Sequence, residues 1–337
     1  MTRLLLVSPV FHGYSHSIAA AFERLGHEVT VFHYDARSRL DRLWHKASVE
    51  LPARVSGGSG AGAAGTITAR AVSVLREVRP DRVLVVKGDV LGDAFYDELD
   101  GTAGRPRVGR VLWLYDELRR ARHSHETLAH YDGVASYSPV DTAALTADGL
   151  PCRHVPLAYD TAFDPPPAPR TVETVFVGAR YPARERIIEH LYRAGVPVRA
   201  YGRDWSTHPY DRGRTWSWRR PQVPVGRDLP RREAYAVMAA AASTLNVHGD
   251  QDGFTMRTFE ACGVGAVQLI DRADVSALYE PDREVAVFAS EDELVELAQR
   301  AVADRVWADG LRAAGRARTL AEHTFDHRAR DLEQLWG

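Results

Sequence analysis

The sequence predicts an α/β protein built as two parallel-sheet domains, and three observations carry this expectation. Short aliphatic runs alternate with helix-like segments along the chain, the pattern of parallel βαβ units. The alternation stops once, at Pro165-Pro166-Pro167-Ala168-Pro169, and then begins again. The 337 residues also exceed one ordinary domain, which holds roughly 100–200.

In the first half the strand-like runs are Leu4 to Val7, Val29 to Phe32, Val83 to Val86, Val108 to Leu114 and Gly133 to Tyr137. The first helix carries Ile18, Ala21, Phe22 and Leu25 on one face, and Gly26-His27-Glu28 turns the chain into the second strand. That is a Rossmann-like opening. The run Gly57-Gly58-Ser59-Gly60-Ala61-Gly62 has no strand before it and no GxxxxGK[ST] pattern, so it reads as a flexible loop and not a phosphate cradle. The proline run supplies few amide donors and prefers extended geometry, so it reads as a stiff connector and the domain boundary.

The second half repeats the pattern, with strands at Thr174 to Val177, Val198 to Tyr201, Thr244 to Val247, Ala266 to Ile270 and Val285 to Phe288. Residues 203–230 interrupt it with Trp205, Trp216, Trp218, Arg212, Arg214, Arg219 and Arg220, and read as a long loop. It would cover a ligand, bind an acceptor by stacking, or form a protein interface. Two Rossmann-like halves leave a cleft at the C-terminal ends of both sheets, where such folds bind ligands.

Composition excludes several classes. Hydrophobic residues at 45% and charged residues at 26% are globular values. A formal charge of −2 from 43 basic and 45 acidic side chains gives no global field for a nucleic acid or an anionic membrane. Cys152 and Cys262 lie far apart in apolar stretches, which points away from disulfides and Cys-held metal and toward a reducing cytoplasm. The first apolar run, Leu4 to Val7, is too short for a signal peptide. No stretch reaches the ~18 apolar residues of a membrane helix.

The most informative segment runs Asp252-Gly253-Phe254-Thr255-Met256-Arg257-Thr258-Phe259-Glu260-Ala261-Cys262-Gly263. It reads as a helix that follows a strand and ends at glycines, with Arg257 and Glu260 three apart on one face. The helix start offers amides and a positive dipole end to a diphosphate, Arg257 adds a charge-assisted contact, and Glu260 accepts from ribose hydroxyls. An exposed salt bridge of little weight is the bland alternative.

This segment resembles the Glu-x7-Glu region of GT-B glycosyltransferases, and its Arg before Phe-Glu-Ala is similar to the spore-maturation CgeB-like family. Asp252 stands where those enzymes often have their first glutamate, one methylene shorter, so its reach to donor-sugar hydroxyls differs. The resemblance continues at Phe176-Val177-Gly178-Ala179-Arg180-Tyr181-Pro182-Ala183-Arg184. There Pro182 suits a first helical position and a second anion-receptive helix end. The resemblance implies that Arg180 and Arg184 neutralise the diphosphate in place of a metal. It also takes in Val198-Arg199-Ala200-Tyr201-Gly202, whose glycine turn admits a ligand near the backbone, with Tyr201 or Trp205 lining the nucleobase.

The resemblance covers residues 172–337, and His323 to Trp336 look like the GT-B terminal helix. In the first half it is looser, at Gly13-Tyr14-Ser15-His16 and Trp113-Leu114-Tyr115-Asp116-Glu117. It implies the GT-B architecture, two Rossmann-like domains facing across a cleft: an acceptor domain over 1–165, a donor domain over 170–322, and a C-terminal helix over 323–337 that crosses back to the first. Phe254, Thr255 and Met256, at the start of the donor helix, join its binding set.

Catalytic candidates come from the first half. His12 and His16 follow the first strand, where several inverting GT-B families hold a base, and histidine suits proton abstraction; surface histidines are the alternative. Asp116 ends an apolar strand and reads as a base, as a partner orienting a histidine, or as a helix N-cap. Lys87-Gly88-Asp89 touches acceptor or phosphate, or is a solvated loop. Asn246 and His248 contact sugar or phosphate, or satisfy neighbouring backbone.

The expected activity is transfer of a sugar from a UDP-, dTDP- or GDP-sugar to an unidentified acceptor, with no metal and no cofactor beyond the donor. Two other readings share the fold: a sugar-nucleotide epimerase, and a maturation protein that binds nucleotide sugars without turnover.

Overall fold

The computed structural model describes residues 1–35, 61–101, 106–216 and 219–336. Gly57 to Gly60 and Trp218 lie outside the described residues. Ala61 and Gly62, read as loop, open a helix. The chain divides into two units, Met1–Pro156 with Asp326–Gly337, and Leu157–Phe325.

The first unit runs β1 (Arg3–Ser8), α1 (Tyr14–Arg24), β2 (Glu28–His33), α2 (Ala61–Val78), β3 (Arg82–Val86), α3 (Asp93–Asp100), β4 (Gly109–Leu114), α4 (His125–Ala129), β5 (Gly133–Ser136), α5 (Pro139–Ala147) and β6 (Cys152–His154). Its six strands are parallel in the order β2-β1-β3-β4-β5-β6. A parallel sheet is covered on both faces, so its strands are continuous apolar runs, and Leu4 to Val7, Val83 to Val86 and Val111 to Leu114 are all buried. Turn chemistry sets the ends: Gly26 turns the chain at φ 92°, and the Ser138 hydroxyl caps α5 ahead of Pro139.

The second unit runs β7 (Thr174–Val177), α6 (Pro182–Arg193), β8 (Val198–Tyr201), α7 (Pro209–Thr215), β9 (Val225–Gly226), α8 (Arg231–Ala240), β10 (Ser243–Asn246), α9 (Met256–Gly263), β11 (Gln268–Ile270), β12 (Ala286–Val287), α10 (Glu291–Ala303) and α11 (Arg305–Glu322). Its sheet is again parallel, in the order β12-β11-β10-β7-β8-β9. Phe176, Ile188, Leu245, Leu269 and Leu294 join its apolar core.

The boundary lies at Pro156, ahead of the proline run expected to mark it. Leu157 to Asp160 are already held by the second unit. The Tyr159 amide donates to the His323 carbonyl at 2.8 Å, and its ring stacks on Tyr235 at 5.4 Å. Asp160 forms a buried ion pair with Arg231 at 2.7 Å. At the other end, α12 (Phe325–Glu333) starts two residues after His323 and belongs to the first unit from Asp326 onward.

Residues 203–230 are not a structureless loop: they contain α7 and β9. The Asp211 carboxylate accepts from Ser206 and Arg227, both at 2.8 Å, and so pins the segment. Trp205 is fully buried in the core, which removes it from any nucleobase contact. No helix among the described residues is long and apolar enough to cross a membrane.

Candidate functional site

In the second sheet the chain leaves β7 for β8 on one side and reaches β10 on the other. Such a reversal opens a crevice beyond the strand C-termini. The Gly178 amide, just past β7, donates to the Tyr201 carbonyl at 3.0 Å, and its own carbonyl accepts the Trp205 indole at 3.0 Å. Gly202 holds φ 154°, and a Cβ there would lie 2.4 Å from the Gly178 oxygen. Only glycine lets these two strand ends pass so closely. The Tyr201 ring is half-buried, pressed against Gly226, and burial raises its phenol above the ordinary range.

Arg184 occupies the first turn of α6, behind Pro182, where Tyr181 provides no side-chain cap. Its Nε donates to the Val247 carbonyl at 2.9 Å and one terminal nitrogen to the Ala179 carbonyl at 3.3 Å. The guanidinium therefore spans the ends of β10 and β7, with the Tyr181 ring 4.9 Å away. Arg180 points elsewhere. It donates to Glu185 at 2.6 Å and to the Arg219 carbonyl at 2.8 Å, over the Trp205 ring, with its side chain 7% exposed. It ties the 219 segment to α6.

On the β10 side, α9 begins after Thr255, whose side chain makes no cap hydrogen bond, and its first turn carries no acid. A helix start of this kind presents amides and a positive dipole end. Phe254 and Met256 are buried, while Asp252 and Thr255 are half-exposed beside the helix start. Arg257 pairs with Glu260 at 2.7 Å, with side-chain exposures of 23% and 0%. The other Glu260 oxygen accepts from the Tyr235 hydroxyl at 3.1 Å. This pair is neither the surface salt bridge nor the ribose reader that the spacing offered. Glu260 presents no surface to a ribose and anchors Arg257 instead.

Asn246 and His248 are buried too. Asn246 donates to the Thr258 hydroxyl at 2.9 Å and to Gln268 at 3.2 Å. His248 meets Asp271 through Nδ1 at 2.9 Å and Thr258 through Nε2 at 3.1 Å. With both nitrogens engaged, it fastens β10 to β11 and α9 and does not face a ligand.

Sequence reasoning missed Asp271 and Arg272. Arg272 lies 4.2 Å over the Phe254 ring, donates to the Gln251 carbonyl at 2.7 Å and pairs with Asp274, so it holds the loop that leads into α9. Its signal was available: polar residues directly after the strand Gln268–Ile270, the rule that singled out His248.

The first sheet reverses in the same way, between β1 and β3. His12 is exposed in a left-handed conformation, φ 46°. His16 is exposed on α1 with its ring 5.5 Å from that of His33. His33 meets the Ser15 hydroxyl at 2.8 Å, and burial, reinforced by His16, pushes its imidazole below the usual range. Asp116 lies 3.5 Å from the Lys87 ammonium. It caps no helix, since Glu117 is the residue before the short turn Leu118–Arg120. Lys87 itself is left-handed, φ 65°, and its carbonyl accepts from His123 at 2.5 Å.

Comparison with known proteins agrees with this geometry. Residues 180–334 match a family model described as glycosyl transferase-like. No curated protein sequence matches the chain. Three similar solved structures are a glycosyltransferase from Rickettsia africae (TM-score 0.66, 11% identity, 100% of this chain and 98% of that one), Anabaena HepE in complex with UDP and glucose (0.65, 12%, 99% of each), and sucrose-phosphate synthase from Thermosynechococcus elongatus (0.65, 14%, 100% and 98%). At these identities the likeness is one of fold: the chain has the GT-B architecture, and its residues 180–334 are similar to the glycosyl transferase-like family.

Proposed function

We propose that the second unit binds a nucleotide-diphosphate sugar at the β7/β10 crevice and that the first unit holds the acceptor. One observation carries this reading: the Arg184 guanidinium spans the Val247 and Ala179 carbonyls in the same crevice as the uncapped start of α9. A diphosphate there meets a fixed cation and a helix dipole together. Anabaena HepE structures with UDP and glucose and with UDP-glucose support the donor class.

In this reading Gly178 and Gly202 allow close approach, Tyr201 flanks the base, and Asp252 and Thr255 face the sugar. Arg257 presents its exposed edge, steadied by Glu260. Guanidinium charge replaces a divalent metal. The acceptor proton passes to His16, backed by His33, or to Asp116. The run Arg257-Thr258-Phe259-Glu260-Ala261 supports the CgeB-like group.

Calorimetry with UDP, GDP and dTDP tests the site. Arg184→Ala weakens nucleotide binding by about 1.5–3 kcal/mol, the worth of a charged hydrogen bond; unchanged affinity for all three overturns the assignment. Transfer persists in excess chelator, and a strict Mg²⁺ or Mn²⁺ requirement contradicts the metal-independent mechanism.

A further inference from the structure

Lysine is scarce in this chain: the 43 basic side chains include only two, Lys46 and Lys87. Lys46 lies outside the described residues. In a chain that uses arginine almost everywhere else, a lysine supplies what a planar guanidinium does not, a compact ammonium with three rotatable donors. Lys87 stands at the C-terminal end of β3, one of the two strands between which the first sheet reverses, and ligands bind beyond strand ends at such a reversal.

The backbone of Lys87 and that of Gly88, at φ 65° and 72°, are both left-handed, a conformation that a long side chain seldom adopts. Three hydrogen bonds impose it. The Lys87 amide donates to the Trp113 carbonyl at 3.1 Å, the Lys87 carbonyl accepts from His123 Nε2 at 2.5 Å, and the Tyr34 hydroxyl donates to the Val86 carbonyl at 3.3 Å. A carbonyl only accepts, so the His123 hydrogen sits on Nε2, and burial lowers that imidazole, which favours its neutral form. Gly88 admits no side chain, since a Cβ there would lie 2.5 Å from Val85. Strain fixed from several sides in this way is a mark of functional sites.

What the turn aims is the ammonium. Its Nζ lies 3.5 Å from an Asp116 carboxylate oxygen, with each side chain 33% exposed. Side by side, an ammonium that only donates and a carboxylate that only accepts match a hydroxyl, which does both. The surrounding charge disfavours an anion. Asp35 and Asp89 add carboxylates after β2 and β3, and, after burial itself, the Asp89 charge is the next cause that lifts the Tyr34 phenol. In the turn after Asp116, Glu117 pairs with Arg119 and Arg120, and Asp141 accepts from the Leu118 amide. One ammonium among three carboxylates leaves no excess cation for a phosphorylated or carboxylated ligand. Asp89, half-buried two residues on, is a further acceptor for a second hydroxyl.

We propose that Lys87 is an acceptor-binding residue, that it grips one acceptor hydroxyl together with Asp116, and that the acceptor is an uncharged saccharide. The inference rests on the reading that the first unit holds the acceptor.

The full chain carrying isotope-labelled lysine tests it by NMR, because two lysines give two Cε signals and Lys46 serves as the internal reference. Glucose, galactose, mannose and N-acetylglucosamine are titrated in turn, with glucose 6-phosphate as the charged counterpart. At least one neutral sugar moves the Lys87 signal saturably, and glucose 6-phosphate binds more weakly. Lys87→Asn keeps a residue that tolerates the left-handed turn and, by calorimetry, raises the dissociation constant of that sugar about tenfold, as expected for one charged hydrogen-bond partner. Lys87→Gly relieves the backbone and melts no lower than the native chain. UDP calorimetry on the native chain reports on the donor crevice separately, so failure there and failure here give different results. A Lys87 signal that none of the four sugars moves, tighter binding of glucose 6-phosphate, native-like sugar affinity in Lys87→Asn, or a Lys87→Gly chain that melts well below the native one overturns the proposal.

Discussion

Arg257 and Glu260 show what a single residue's burial does to its role. A carboxylate with no exposed surface depends on its partners, here a guanidinium at 2.7 Å and a tyrosine hydroxyl at 3.1 Å. Removing one side of a buried pair strands the other charge. Glu260→Ala should therefore lower stability by about 3–5 kcal/mol in urea unfolding, and Glu260→Gln, which keeps an acceptor for Tyr235, by less. His33 and His123 set a pH dependence. Burial is the largest cause lowering both imidazoles in the folded protein. The unfolded chain then binds more protons, so stability falls as pH drops below about 6.5 and levels off below the folded values. Melting curves from pH 7.5 to 5 should show this slope, and His123→Gln should flatten it.

At the scale of elements, glycines decide how closely strands and helices approach. Gly202→Ala places a methyl 2.4 Å from the Gly178 oxygen at a φ that side chains avoid. It should destabilise by about 1–3 kcal/mol and weaken UDP binding, since it forces apart the ends of β7 and β8. Gly213, within α7, has open space around its missing Cβ, and Gly213→Ala should stabilise by about 0.5–1 kcal/mol. Thermal melts of the two variants should shift in opposite directions. Ten of the twelve strands among the described residues were legible because each lies in a short stretch rich in aliphatic or β-branched residues between turn signals. The exceptions, β6 and β9, are Cys152–His154 and Val225–Gly226, only three and two residues long and too short to stand out from their loops.

Across the whole molecule, the last residues cover the N-terminal ends of strands in the first unit. Glu333 pairs with Arg82 and with His27, the latter at 2.9 Å. Trp336 meets Phe22 at 6.0 Å with Arg82 over its ring. Gly133 and Gly109 lack the side chains that would collide with Leu335 and Trp336. Deleting residues 326–337 exposes this surface and removes Leu332 and Ala329, which are buried. The first unit should lose about 3–5 kcal/mol, with the second unit's melting little changed, as hydrogen exchange resolved by unit would show.

Sequence alone determined the α/β alternation, the two sheets and the helix that carries Arg257 and Glu260, because apolar periodicity and glycine and proline punctuation are local properties of the chain. Tertiary structure decided what each polar side chain does. Arg180 and Arg184 stand four apart on one stretch, yet one is folded against Glu185 and the other spans two strand ends. His248 and Glu260 are residue types that ligand sites use, yet here they are bonded to Asp271 and Tyr235 within the fold. Whether a charged group meets a ligand or a neighbour depends on which distant residues, Asp271 and Tyr235 among them, the fold brings within hydrogen-bond reach, and spacing along the chain does not encode that.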